Sequence, residues 1–216
     1  ALKARWAEPF DRWATMDRAF RPARGDARGV PMMFRTVPVA DVWTIGAHGG
    51  PVHVVELPCA GDDGALIRFA LGPVGAPPAP IMSAAWAPRS AGNPVAYDKV
   101  ELRLPRFVLR TSLAVHTHLP ALGVSLALDD DAAEFGALSA DHLFIDRVDQ
   151  EALIRVDEEG VEAAAVTELR MQPTSYTPPG PTLQLTFDRP FACAVMDASG
   201  TVPLFSAYQA TVPSPA

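Results

Sequence analysis

The sequence predicts a β-rich α+β fold, on three observations. Apolar and charged residues alternate with period 2, most cleanly over 99–104, where Val100, Leu102 and Leu104 take one face and Glu101 and Arg103 the other. Apolar runs are joined in pairs by Gly/Asp turns. Helical patterning is confined to short segments.

The elements follow in order. Residues 51–72 read as two strands around a Gly/Asp turn: Val52, Val54, Val55 and Leu57 lead in, and Ala65 to Leu71 lead out. Residues 73–94 form a Pro/Gly-rich connection with at most one short helix, around Ile81–Trp86. Pro105 ends the alternating strand, and a second strand starts at Phe107. Residues 112–123 read as helical, interrupted by Pro120. Residues 129–139 read as a short helix capped by aspartates, with Phe135 and Leu138 on the buried side. A long strand is expected over 143–160. Three more follow toward the end, with Asp197–Gly200 as the turn between the last two. There is no internal repeat and no composition shift that would mark a linker, so 1–216 is expected to be a single unit.

Composition narrows the function. Of 216 residues, 49% are hydrophobic and 20% charged, which is globular rather than disordered. A net charge of -7 argues against a nucleic-acid surface. No apolar run reaches the ~18 residues of a membrane span. The positive charge is almost all arginine. With abundant Ala, Pro and Asp, this points to a GC-rich bacterial genome. Cys59 and Cys193 stand far apart in apolar strand contexts and read as buried free thiols, which assign no compartment. The opening residues show neither an initiator methionine nor a signal-peptide pattern, as expected of an internal segment.

The chain carries no GxSxG, HExxH, GxGxxG or P-loop, so no enzyme is expected. His116 and His118, two apart, would share a metal only on one face of a strand, and no third ligand stands near them. His48–Gly50 and Arg24–Asp26 read as loops. Asp129–Asp131 lacks the spaced ligands of a calcium site and reads as a solvated helix start. Neither a metal nor a cofactor is expected.

The informative stretch begins at Val161. Alternate residues Val161, Ala163, Ala165, Thr167, Leu169 and Met171 are uncharged, and the intervening set carries Glu162, Glu168 and Arg170. Period 2 gives one dry face and one wet face. The prolines of 173–181 lack backbone donors and cannot continue a central strand. On pattern alone, an edge strand running into a loop is the favoured reading.

A resemblance separates the two. "EEGVEAAAVT" at 158–167 resembles the hinge of the serpins, the inhibitors that trap serine proteases by loop insertion. "KARWAEPFD", "VPMM", "VVELPCAGDDGALI", "VELRLPRFVL", "AEFGALS", "DRPFACAV" and "VPLF" are similar to further serpin segments and occur in the family's order. Val161 stands where the family has Thr or Ser, and Gln150 where it has a histidine.

The resemblance implies the C-terminal portion of a serpin fold: parts of sheets A, B and C and a reactive-centre loop over 160–182, with the N-terminal helices outside this chain. It implies a suicide-substrate inhibitor whose cleaved loop inserts into sheet A, or else a non-inhibitory relative such as a carrier or chaperone. Glu158, Gly160, Val161, Glu162, Ala163, Ala164 and Ala165 become the loop hinge, and Arg106 becomes the partner of Glu158 where insertion begins. Counting fourteen residues from Gly160 puts the reactive bond at Thr174–Ser175, with Tyr176 and Arg170 as competing sites. A small residue after Pro173 suits an elastase- or subtilisin-like protease. The other expected partner is the N-terminal part of the same fold.

Overall fold

The computed structural model describes residues 4–61, 64–161 and 180–214. They fall into two compact units, 1–109 with 155–216, and 110–154. In chain order the elements are β1 (Ala4–Trp6), β2 (Met16–Phe20), β3 (Arg28–Val37), β4 (Val42–Ile45), β5 (Val52–Ala60), β6 (Leu66–Leu71), α1 (Pro78–Trp86), β7 (Asn93–Pro94) and β8 (Lys99–Pro105). They continue with β9 (Phe107–Ala114), β10 (Asp149–Val156), β11 (Gly160–Val161), β12 (Thr182–Thr186), β13 (Phe191–Met196) and β14 (Pro203–Gln209).

Three sheets result. The largest has eight strands in the order β11-β1-β5-β6-β13-β14, with β4 joined to β5 and β7 to β4. A four-stranded sheet runs β12-β8-β3-β2, with β12 parallel to β8. β9 and β10 pair as a two-stranded sheet.

In the larger unit the sequence pattern explains these positions. Val100, Leu102 and Leu104 of β8 are fully buried, as their alternation requires. β13 lies between β6 and β14 and is buried at all six positions, which is why it is apolar throughout. α1 covers part of this sheet. Proline in its first turn presets φ, and Ala87, ahead of Pro88, takes ψ 140 and ends it. Ile81, Ala84 and Ala85 pack on Trp43, Val52, Val54, Ala70, Ala192, Ala194 and Met196. The small residues permit the close approach: a Cβ on Gly72 would come within 2.8 Å of the Ile81 side chain.

A second cluster is aromatic. The rings of Phe187 and Phe191 stand 5.4 Å apart, and those of Phe107 and Phe191 5.5 Å apart, both edge to face. Arg68 is buried and fully used: it bonds Glu56 Oε2 at 2.7 Å, the carbonyl of Ala87 at 3.1 Å and that of Gly200 at 2.9 Å.

The smaller unit departs from the sequence-based expectation. Residues 129–139 form turns, not a helix. Asp129 Oδ1 accepts from the amides of Asp131 and Ala132, and Leu138 is 77% exposed while Ala133 is buried. Three adjacent carboxylates and Gly136 are poor helix formers. Over 112–123 β9 runs on to Ala114, and the 3-10 turns Val115–Thr117 and Pro120–Leu122 follow in place of a helix, the second ending at Gly123 with φ +85. The strand expected from residue 143 begins at Asp149.

Among the described residues α1 is the one α-helix, and no helix is long and apolar enough to cross a membrane.

Candidate functional site: the hinge after β10

Beyond Val156 the chain turns tightly. Asp157 Oδ1 accepts from the amides of Glu159 (3.0 Å) and Gly160 (3.2 Å), and the Asp157 amide donates to the Gly160 carbonyl (3.2 Å). This is an aspartate-closed turn, for which Asp followed by Gly at the exit is the sequence signature. Gly160 has φ +143, and a Cβ there would collide with the Ala4 carbonyl oxygen and come within 2.6 Å of Arg5 Cα. Only glycine fits. Gly160 and Val161 then pair antiparallel with Arg5 and Ala4 of β1.

Glu158 points inward from this turn. Arg106 Nε bonds both of its carboxylate oxygens at 2.8 Å, and Arg106 Nη2 bonds Oε1 as well. Thr15 Oγ1 donates to Oε1 at 2.6 Å. The Glu158 side chain is 3% exposed and that of Arg106 31%. Burial on its own would raise the Glu158 pKa. The hydrogen bonds from Arg106 and Thr15 outweigh it and hold the carboxyl below its ordinary range.

The backbone of the turn is held as firmly. The Phe10 amide donates to the Glu158 carbonyl (2.8 Å), and the Trp6 amide to that of Glu159 (3.1 Å). Trp6 Nε1 donates to the Asp157 carbonyl (2.9 Å). Arg12 pairs with the Glu159 carboxylate.

The structure therefore brings Arg106 and Glu158 into direct contact and sets Gly160 immediately after them. Glu162, Ala163, Ala164, Ala165, Arg170, Thr174, Ser175 and Tyr176 lie outside the described residues. Ahead of β12 the Asp98 amide donates to the Pro181 carbonyl (2.9 Å).

Sequence reasoning missed Thr15 and Arg12. Nothing local marks them, because their partners lie more than 140 residues away. The other candidates are accounted for structurally. His116 lies in a 3-10 turn with Nδ1 3.2 Å from the Val148 carbonyl. Among the described residues, the one cluster of three potential ligating side chains is Asp129, Asp130 and Asp131, all exposed. Both thiols are buried. Burial pushes Cys59 up to about 11, and Cys193 further still.

A family model described as "Serpin (serine protease inhibitor)" matches residues 1–209. The chain belongs to the serpin family. Serpin A3-7 of Bos taurus is 31% identical over 203 residues, covering 90% of this chain and 45% of its own length. The leukocyte elastase inhibitor of Sus scrofa is 29% identical over 182 residues, covering 77% and 45%. Among solved structures, the native thermophilic serpin tengpin superposes with a TM-score of 0.76 at 20% identity, covering 97% of this chain and 53% of its own. Human thyroxine-binding globulin does so with a TM-score of 0.75 at 22% identity, covering 98% and 54%. This serpin chain thus spans about half the length of the curated relatives it matches.

Proposed function

We propose that this chain is the C-terminal portion of an inhibitory serpin, acting on a serine protease as a suicide substrate and not as an enzyme. The hinge is the observation that carries the reading. A buried carboxylate gripped by a guanidinium and a hydroxyl ends β10. Two residues on, a glycine that no other residue can replace starts the chain along β1. In this reading a reactive loop of 160–182 leaves the body of the protein at this glycine.

In this reading the protease attacks Thr174–Ser175, and an elastase- or subtilisin-like enzyme suits that bond. The acyl-enzyme is trapped when the cleaved loop inserts into sheet A together with the N-terminal portion of the fold. Ala163 and Ala165 lie on the uncharged face that must enter the sheet interior, where a charge would cost several kcal/mol. Insertion of about a dozen residues makes on the order of ten ladder bonds worth about 1 kcal/mol each. The total is comparable with the ~5–15 kcal/mol stability of a domain, enough to distort a bound protease. No cofactor is needed.

The second reading, a non-inhibitory serpin, has Val161 in its favour, in place of the usual Thr or Ser at the first inserting position. Incubating the full-length protein with an elastase-like protease separates the two. The inhibitor gives an SDS-stable covalent complex. A cleaved serpin with free, active protease would refute inhibition.

A further inference from the structure

Three carboxylates follow one another at the hinge, and each has its own arginine. Asp157 Oδ2 lies 3.6 Å from Arg155 Nε, Glu158 is gripped by Arg106, and Glu159 pairs with Arg12. The arginines come from the end of β10, from the junction of β8 and β9 and from the 3-10 turn Arg12–Ala14. Asp157 divides its two oxygens between two tasks. Oδ2 faces Arg155, and Oδ1 accepts from the amides of Glu159 and Gly160. The Asp157 amide returns a bond to the Gly160 carbonyl, so the reversal is completed within 157–160 with no spare residue.

This reversal decides a register. Gly160 stands opposite Arg5 and Val161 opposite Ala4. In β1, Ala4 and Trp6 are buried and Arg5 is exposed. Directly opposite residues of an antiparallel pair share a face. A strand that continued this register with period 2 would therefore give the dry side of Ala4 to the uncharged set that starts at Val161 and includes Ala163 and Ala165. It would give the wet side of Arg5 to Glu162, Glu168 and Arg170. A slip of one residue exchanges the two faces and would turn all three charges inward. The turn is thus the point at which the dry and wet sets are assigned.

We infer that Asp157 is a positioning residue for loop insertion: through its Oδ1 it fixes the register in which the cleaved loop joins β1, and so the partition between trapping and release of the protease. The inference rests on the inhibitor reading above. After cleavage an ester joins the loop carbonyl to the protease serine. Either the inserting loop carries that ester away intact, or water attacks it, freeing the serine hydroxyl and leaving a carboxylate on the loop. The two outcomes compete in time. A strand that starts in the wrong register must unpair before it can start again, and water gains that interval. Closing the turn beforehand removes the false starts. The charge of Asp157 matters less than its oxygen, because Arg155 is 47% exposed and turns readily to water.

The test uses the full-length protein, an elastase-type serine protease and two variants. Asp157→Ala removes the acceptor that closes the turn. Asp157→Asn keeps that acceptor and loses only the charge. The ratio of cleaved free inhibitor to SDS-stable complex should rise about tenfold in Asp157→Ala, the scale of two lost hydrogen bonds. In Asp157→Asn it should stay within about twofold of wild type, since either side chain closes such a turn. A lower melting temperature for Asp157→Ala with an unchanged ratio would make the residue structural only and overturn the inference. An equal rise in both variants would also overturn it, because charge and not turn closure would then be at work. Amide hydrogen exchange on the wild type keeps the test decisive if Asp157→Ala does not fold: the Glu159 and Gly160 amides should be protected, and exchange at free-chain rates would overturn the inference. A wild type that forms no covalent complex would instead overturn the inhibitor reading, and the exchange would still decide whether the turn is closed.

Discussion

Removing Arg106 perturbs the hinge most sharply. Glu158 is 3% exposed and draws three hydrogen bonds from Arg106 and one from Thr15. Taking one partner from a fully buried pair typically costs ~3–5 kcal/mol, because the other charge is left unpaired. Water reaches Arg106, whose side chain is 31% exposed, so the expected cost of Arg106→Ala is about 2–3 kcal/mol. For a chain of this size that lowers the melting temperature by about 4–12 °C. Glu158→Gln keeps the shape and loses the charge, at about 1–2 kcal/mol. The double variant should be less destabilised than Arg106→Ala alone, because no orphan carboxylate remains. Thermal unfolding followed by circular dichroism reads all three. An Arg106→Ala melting temperature within about 1 °C of wild type, or strictly additive losses in the double variant, would refute the buried-charge argument.

Other expectations follow from the same structure. Glu158 titrates below its ordinary value of 4.5. Its contribution is therefore fully present above that value and lost as pH falls through the folded one. Acid melts of wild type should steepen below it, and those of Glu158→Gln should steepen less. Gly160→Ala forces a Cβ onto the backbone of β1. It should cost about 1–3 kcal/mol and speed proteolytic nicking near the hinge, and wild-type nicking rates would contradict the collision. Cys59 and Cys193 should resist a thiol reagent at pH 8 until the protein unfolds, because burial keeps both protonated; rapid labelling in the native state would contradict this. Arg68→Ala, which leaves two carbonyls without their donor and Glu56 with Arg89 alone, should destabilise more than Arg12→Ala, whose arginine side chain is 66% exposed. Parallel melts decide that comparison.

The strands were legible where burial is one-sided or complete. The alternation of β8 and the unbroken apolar run of β13 each record how many faces are dry. The Asp197–Gly200 turn and the Pro-initiated α1 were legible because their chemistry is local. The smaller unit was not, because three aspartates in a row mimic a helix start while equally able to close turns on their own backbone. At the hinge, the resemblance to serpins named Glu158, Gly160 and Arg106, whereas Asp157, which closes the turn, was not singled out. Thr15, Arg12 and the amides of Trp6 and Phe10 carry no local signal, since their role exists only once β1 lies beside the turn.

The account turns on whether the segment after Gly160 can become a strand within a sheet. Melting the full-length protein before and after a single cut at Thr174–Ser175 asks this directly. If about a dozen residues insert, roughly ten new ladder bonds should raise the melting temperature of a chain about twice this length by about 10–20 °C. Ala163→Arg, which places a charge on the inserting face, should abolish most of that gain. Identical melts for the intact and cut wild-type protein would contradict insertion, and with it the inhibitor mechanism.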